Sequence, residues 1–333
     1  MINKKFKLFS NCLTVKGINR GIIIDFQREN YFVVPNQVID FISEYSEKNV
    51  YELFKDFQND KPILKKYIRF FIENELIIVS DDIRRFPAIS NHFERPYSID
   101  TITLDLNLST SILKDFLEQR IDNLGVSSLK LISGDFNLQK LAEVLKIIDK
   151  SRIKSVVLYI KHNNVSENEL VKLKDKFSRI AEIIFYEAEK GNDSRESNFI
   201  YERNSLAEIL AMKISDQDDF LLNIANFNES LKYSSAYNRT VFIDDLGNVR
   251  RYVEDESIFG NVAKDDLREV VLNSEIISFW EINKDKIKIC RDCEFRYICP
   301  DGSIPFKIDE EKYYSSSNSC NYSPYTNKWN AMQ

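Results

Sequence analysis

Ile102-Thr-Leu-Asp-Leu106, Leu129-Lys-Leu-Ile-Ser133, Ser155-Val-Val-Leu-Tyr159 and Glu182-Ile-Ile-Phe-Tyr186 are four strand-like apolar runs in one stretch of the chain. They centre on Leu104, Leu131, Val157 and Ile184, spaced by 27, 26 and 27 residues. Amphipathic helical patterns separate them. The first is Ile112, Leu113, Phe116, Leu117, Ile121, Leu124, and the second is Leu138, Leu141, Leu145, Ile148. The third is Leu170, Leu173, Phe177, Ile180. Strand–helix units at this period imply parallel strands joined by right-handed crossovers. Four such units over 99–186 predict an α/β fold, either a partial (β/α) barrel or an open sheet. No GxGxxG or GxxxxGK[ST] follows any of the strands, so the nucleotide sites those motifs announce are not indicated.

Upstream, residues 1–85 read as a small β-then-α unit. Apolar runs at Phe6–Leu8, Gly21–Phe26 and Tyr31–Val34 predict three strands, with Gln27-Arg-Glu-Asn30 as a hairpin turn. Three helical patterns follow: from Pro35-Asn36 through Tyr45, from Val50 to Phe57, and from Pro62 through Phe71. Proline is favourable in a helix's first turn. Leu76–Val79 is expected to close the unit as a strand. Three strands followed by three helices is a winged-helix-like arrangement. Pro87 and Pro96 among polar residues mark 86–98 as a linker. The barrel-like body is assigned to 99–235, with an ambiguous stretch from 187 whose one helical pattern is Leu206, Ile209, Leu210. The remainder, 236–333, opens with a hairpin around Asp245-Leu-Gly-Asn248, continues through a helix over Leu267–Trp280, and ends in a cysteine-rich tail.

A chain of 333 residues is too long for one typical core, so two or three domains are expected. The net charge of −6 counts against nucleic acid as the main partner. No run of 18 apolar residues occurs, so no membrane span is expected. Met1-Ile-Asn-Lys-Lys lacks the apolar core of a signal peptide. Together with free thiols, that points to the cytoplasm.

The tail carries the chemistry. It reads Cys290-Arg-Asp-Cys293-Glu-Phe-Arg-Tyr-Ile-Cys299-Pro-Asp301, then Cys320-Asn-Tyr-Ser-Pro324. Only Cys12 lies elsewhere. Four cysteines gathered in a chain that otherwise avoids the residue suit a metal site: a [4Fe–4S] cluster or a zinc ion. Two disulfides are the alternative, disfavoured because nothing looks secreted. A structural zinc ribbon usually has two CxxC pairs, and here there is one.

This spacing resembles the SPASM domain, the C-terminal iron–sulfur module of many radical SAM peptide-modifying enzymes. In that family CxxCx5C with a cysteine about twenty residues later binds an auxiliary [4Fe–4S] cluster, and Cys290, Cys293, Cys299 and Cys320 match those places. The hairpin Asp245–Val249 and the following helix match too. Two departures matter. Places where the family often holds ligands for another auxiliary cluster carry Arg250-Arg251-Tyr252 and Ser303. The CxxxCxxC motif of radical SAM enzymes is missing, so cleavage of S-adenosylmethionine is not expected.

The whole pattern is similar to the SPASM-domain peptide maturases of grasp-with-spasm systems. The residues behind that likeness are Phe6-Lys-Leu-Phe-Ser-Asn-Cys12 with Val15-Lys-Gly17, the Ile22–Gln27 strand, and the cysteine segments. The resemblance implies a protein that helps mature a ribosomally made, post-translationally modified peptide. It implies one [4Fe–4S] cluster and two partners, the precursor peptide and an ATP-grasp ligase. Whether the chain catalyses a step alone is left open. A redox enzyme using the cluster for electron transfer and a zinc-stabilised winged-helix regulator are the rivals.

The N-terminal unit then resembles a leader-peptide recognition element. Strand Asn30, Tyr31, Phe32, Val33, Val34 is expected to accept an extended peptide by strand addition. Lys66, Arg69 and Phe70 on the third helix would form a groove wall. The plainer reading makes Tyr67 and Phe71 core and the basic residues a solvated face. Among the remaining reactive residues, His92 and His162 have no evident nucleophile beside them, and Cys12 reads as a small buried residue.

Overall fold

The computed structural model describes residues 4–330 apart from 164, 190–198, 212–213, 215, 309–310 and 318–319. The N-terminal unit contains β1 Lys5–Leu8, β2 Cys12–Lys16, β3 Arg20–Asp25, β4 Asn30–Pro35, α1 Asn36–Tyr45, α2 Val50–Asp56, α3 Lys61–Glu73 and β5 Ile77–Ser80. The three helices stand where the apolar periodicity puts them. Asn49 caps α2 by accepting the Tyr51 amide, and Pro62 sits in the first turn of α3.

The expected three strands, three helices and closing strand are all present, and the structure adds one further strand, β2. β1 pairs with β5, while β2, β3 and β4 form a separate antiparallel sheet. The strand absent from the sequence expectation is β2, whose apolar character is broken at Thr14 and Lys16. The turn joining β3 and β4 is fixed by buried Asp25, whose Oδ1 accepts the Gln27 and Arg28 amides. Both faces of β3 are buried. Ile23 joins Phe6, Val34, Leu64 and Phe71 in a core beneath the helices, whereas Ile22 and Ile24 face the C-terminal tail.

The body is an eight-stranded, mostly parallel sheet. Its elements are β6 Thr101–Asp105, α4 Thr110–Asp115, a π-helical stretch Phe116–Arg120, α5 Ile121–Leu124, β7 Ser128–Ser133, α6 Leu138–Ile148, β8 Ser155–Lys161, α7 Glu167–Lys176 and β9 Ile180–Tyr186. They continue with β10 Ile200–Tyr201, α8 Leu206–Leu210, α9 Ile224–Ser230, β11 Thr240–Ile243, β12 Asn248–Arg250, β13 Gly260–Asn261, α10 Leu267–Val270 and α11 Ser274–Trp280. The order across the sheet is β10-β9-β8-β7-β6-β11-β12-β13. The neighbours from β10 to β11 are parallel, and the last two pairs are antiparallel. The sheet is open, with β10 and β13 at its edges. Of the two arrangements the repeat allows, this is the open sheet.

Residues alternate across it, apart from a register shift between β8 and β9 beside Val156. Ile102, Leu104, Leu129, Leu131, Val156, Leu158 and Ile183 join the crossover helices in the largest core. Ile132, Tyr159, Ile184, Tyr186 and Phe242 build a smaller cluster on the opposite face, against α8. β11 pairs with β6, so the chain beyond residue 235 continues the body sheet. Residues 86–98 hold no helix or strand. The predicted 267–280 helix is two helices, because the Asn273 side chain accepts the Glu275 amide and starts α11 afresh. Among the described residues no helix is long and apolar enough to cross a membrane.

Candidate functional site

After α11 the chain is locked to the sheet by Trp280 Nε1, which donates to the Thr240 carbonyl at 3.0 Å. Short 3₁₀ turns at Lys284–Lys286 and Cys290–Asp292 follow. Between them Ile289 holds φ 65° and ψ −53°, and the Cys290 amide donates to the Lys288 carbonyl at 2.7 Å. A β-branched residue at positive φ is strained. This tight turn brings Cys290 into position beside Cys293. The amides of Phe295 and Tyr322 each lie 3.4 Å from a sulfur, those of Cys293 and Cys320 respectively.

Cys290, Cys293, Cys299 and Cys320 all line one pocket, walled by Phe220, Phe295 and Trp329. None is in a disulfide. Burial pushes the Cys290 thiol up to about 12 and raises the other three. The sulfurs are near enough to feel one another's charge. Among the described residues no three His, Cys, Asp or Glu side chains converge closely enough to hold a metal ion.

Two further residues complete the pocket. The Lys284 ammonium is buried against the Cys299 thiol and donates to the Asp301 carbonyl at 2.8 Å. Burial alone would lower its pKa, but Cys299, Cys290, Asp301 and Cys320 outweigh that and raise it. Asp301 Oδ2 lines the same pocket, buried and without a hydrogen-bond partner. Four thiols can ligate a thiolate-bound metal group, and the Lys284 ammonium offsets the negative charge that four thiolates bring.

The N-terminal sheet is seated directly on this tail. Arg20 Nε donates to the buried Glu294 carboxylate at 2.6 Å, and Tyr322 Oη donates to the same oxygen at 2.6 Å. Arg296 Nη1 donates to the Lys16 carbonyl, and the Ile18 amide donates to the Asp292 carbonyl, both at 2.8 Å. Gly17 is packed so closely that an added Cβ would lie 2.8 Å from the Glu294 nitrogen. Replacing Arg20 with methionine leaves Glu294 buried without its cation. Loss of about 3 kcal/mol is expected in urea unfolding, partly restored by adding Glu294→Gln. An unchanged midpoint would show that the ion pair does not hold the two parts together.

β4 is an edge strand. Phe26 donates to Asn11 and Gly17 to Arg20, which fixes the even-numbered residues of β3 toward β2. Odd-numbered residues therefore bond β4, and the paired Asn30, Phe32 and Val34 point their backbone groups inward. The Val33 N–H and C=O point outward, and no described residue bonds them. Tyr31 turns its ring onto Phe295 and Phe220, with centroids 5.5 and 6.0 Å away. Phe32 meets Phe70 edge-on at 5.8 Å, so strand and α3 pack against each other. Lys66 and Arg69 are exposed, Arg69 within 4.0 Å of Glu73. Val34 is core, as are Phe71 and Cys12. His92 is exposed in the connecting segment, and His162 packs on Phe185 and Tyr201; neither lines the cysteine pocket.

Sequence reasoning missed Lys284, Arg20 and Glu294. Lys284 and Glu294 stand among other charged residues and Arg20 at the start of an apolar run, and only the fold brings each to the thiols or the interface. Arg250 and Arg251 are bound by Asp244 and Asp255.

No protein-family model matches the chain, and no curated protein does. Among solved structures it is similar to Streptococcus suis SuiB bound to S-adenosylmethionine, with 12% identity over 94% of this chain and 99% of that one, TM-score 0.34. SuiB bound to its precursor peptide SuiA gives 12% identity, 89% and 95% coverage and a TM-score of 0.33. SuiB alone gives 11%, 89%, 95% and 0.32. At so loose a superposition, what this chain does is argued from its own residues.

Proposed function

We propose that this chain is a maturation protein for a ribosomally made peptide. It holds one [4Fe–4S] cluster on Cys290, Cys293, Cys299 and Cys320 and binds the precursor's leader along the open edge of β4. One observation carries the reading: four free thiols line a single pocket on which the N-terminal sheet is seated. A zinc ion needs its sulfurs about 2.3 Å from one centre. The cluster is preferred to zinc because the sequence has one CxxC pair where a structural zinc ribbon usually has two. When bound, such a cluster supplies one-electron chemistry or a purely structural cross-link. The ATP-grasp ligase enters as partner from the resemblance of the sequence alone.

The N-terminal residues do the binding. Val33 offers one outward N–H and C=O to an extended peptide, and Phe32 with Phe70 offers an apolar wall. Maturation reconstituted with the ligase and precursor, with and without this chain, tests the role. A product seen by mass spectrometry only when the chain is present supports it, and equal product in its absence rejects it.

Lys284 places a positive charge against the thiols. In Lys284→Met the anaerobically loaded protein should keep its iron. The midpoint potential should fall by on the order of 100 mV, because the more negative reduced state loses its nearby cation. An EPR-monitored redox titration reads the shift. An unchanged potential would deny Lys284 this part.

A further inference from the structure

The sheet face opposite the crossover helices carries a second pocket, open to solvent and lined by Thr101, Thr103, Lys130, Tyr237 and Arg251, with the exposed Glu254 also on its wall. Lys130 on β7 lies in register with Thr103 on β6, which in turn pairs with Phe242 on β11. In-register parallel neighbours share a face, so these side chains stand in one row.

Lys130 is unusual among the deep cations. Lys284 donates to the Asp301 carbonyl, Lys140 to that of Leu108, Arg239 to that of Tyr97, and Arg251 is held by Asp255. The Lys130 side chain has no hydrogen bond or ion pair with any described residue, and it keeps part of its surface open to the pocket. Burial depresses its pKa, and no neighbouring carboxylate offsets that. An ammonium placed so deep without a counter-charge is costly.

The pocket supplies the rest of a receptor. Arg251 is fixed as a flat cation: Asp255 takes its Nε at 2.6 Å and its Nη2 at 3.0 Å. The rings of Phe259 and Phe279 each lie 5.3 Å from its Cζ. Its Nη1 has no described partner. The hydroxyls of Thr101 and Thr103 add rotatable donors.

We infer that this pocket binds a small oxyanion, a carboxylate or a phosphate, with Lys130 as its counter-ion and Arg251 and the threonine hydroxyls as further donors. The anion supplies the charge that Lys130 lacks within the chain. The site is separate from the cysteine pocket, and its lining residues are different. It therefore goes beyond the proposed function, and stands or falls without it.

The test uses the full chain. Thermal unfolding and calorimetry are run with sodium phosphate, sodium acetate and sodium chloride at equal ionic strength. The expected result is a melting temperature that rises with phosphate or acetate concentration but not with chloride. Response to one anion alone identifies which oxyanion the pocket takes. Lys130→Met fills the same space without charge and should fold, as circular dichroism would show, while binding that anion at least tenfold more weakly. If neither oxyanion does more than chloride, or if Lys130→Met responds as the parent does, the pocket is not an anion site.

Discussion

Replacing Cys320 with alanine is expected to abolish the iron–sulfur content of the anaerobically prepared protein. Iron and sulfide should fall from about four each per chain to below one, since a cubane keeps its four irons only with a full set of thiolates. Cys290→Ala should behave alike. Cys12→Ala is the control: Cys12 is buried on β2 in the N-terminal core, outside the pocket, and its loss should leave the iron unchanged. The tail gives this prediction a second readout. Beyond Cys299 its only described regular structure is two pairs of two-residue strands, Pro305–Phe306 with Ser315–Ser316 and Tyr322–Ser323 with Lys328–Trp329. Pairs so short have no independent stability. Cys320 lies two residues before Tyr322, whose hydroxyl donates to Glu294, and the Trp329 ring packs at a tilt against Tyr322 at 5.2 Å. Without the bound group, protease cleavage beyond residue 301 should accelerate and Trp329 fluorescence should shift toward that of exposed indole. Stoichiometric zinc in the parent protein, or full iron in Cys320→Ala, would sink the assignment.

Much of this fold is legible in the sequence because its signals are local. The four runs centred on Leu104, Leu131, Val157 and Ile184 became β6, β7, β8 and β9, since a parallel strand buried on both faces needs an unbroken apolar run. Asp245-Leu-Gly-Asn248 became the turn between β11 and β12, with Asp244 accepting the Leu246 and Asn248 amides and Gly247 at φ 84°. The four cysteines were legible as a group, and one pocket now contains them all. What the sequence does not display is anything set by long-range packing. β2 is hidden because Thr14 and Lys16 interrupt it, although it pairs with β3 over its full length. That β11 enters the body sheet beside β6 is decided by partner choice, on which hairpin chemistry is silent. Lys284 lies in a charged turn and Lys130 in an apolar strand, and neither setting announces a pocket. One is surrounded by thiols and the other by hydroxyls and an occupied arginine, and only the fold shows this.

Val33→Pro is expected to weaken leader binding at least tenfold while leaving the N-terminal unit folded. The argument turns on which way each amide of β4 points. The Phe32 amide faces β3 across its partner Ile23, so a proline at Phe32 removes a bond of the sheet itself and unseats the ring packed on Phe70. The Val33 amide faces outward, and the side chain is 45% exposed. Proline is tolerated at an edge when the lost N–H is the outer one, and the extended backbone before it suits a strand. The change therefore deletes the docking donor and little else. A peptide added to β4 would lose one backbone hydrogen bond and meet the proline ring, together worth about 1.5–3 kcal/mol, or roughly ten- to a hundredfold in affinity. Val33→Thr keeps the donor and should bind as the parent does. Calorimetry of the full chain with the leader of a precursor encoded beside its gene, with circular dichroism of each variant, makes the comparison. Equal affinity for the parent and a folded Val33→Pro would place the leader elsewhere. The aromatic cluster of Tyr31, Phe220 and Phe295 would then serve only to join the N-terminal sheet to the tail.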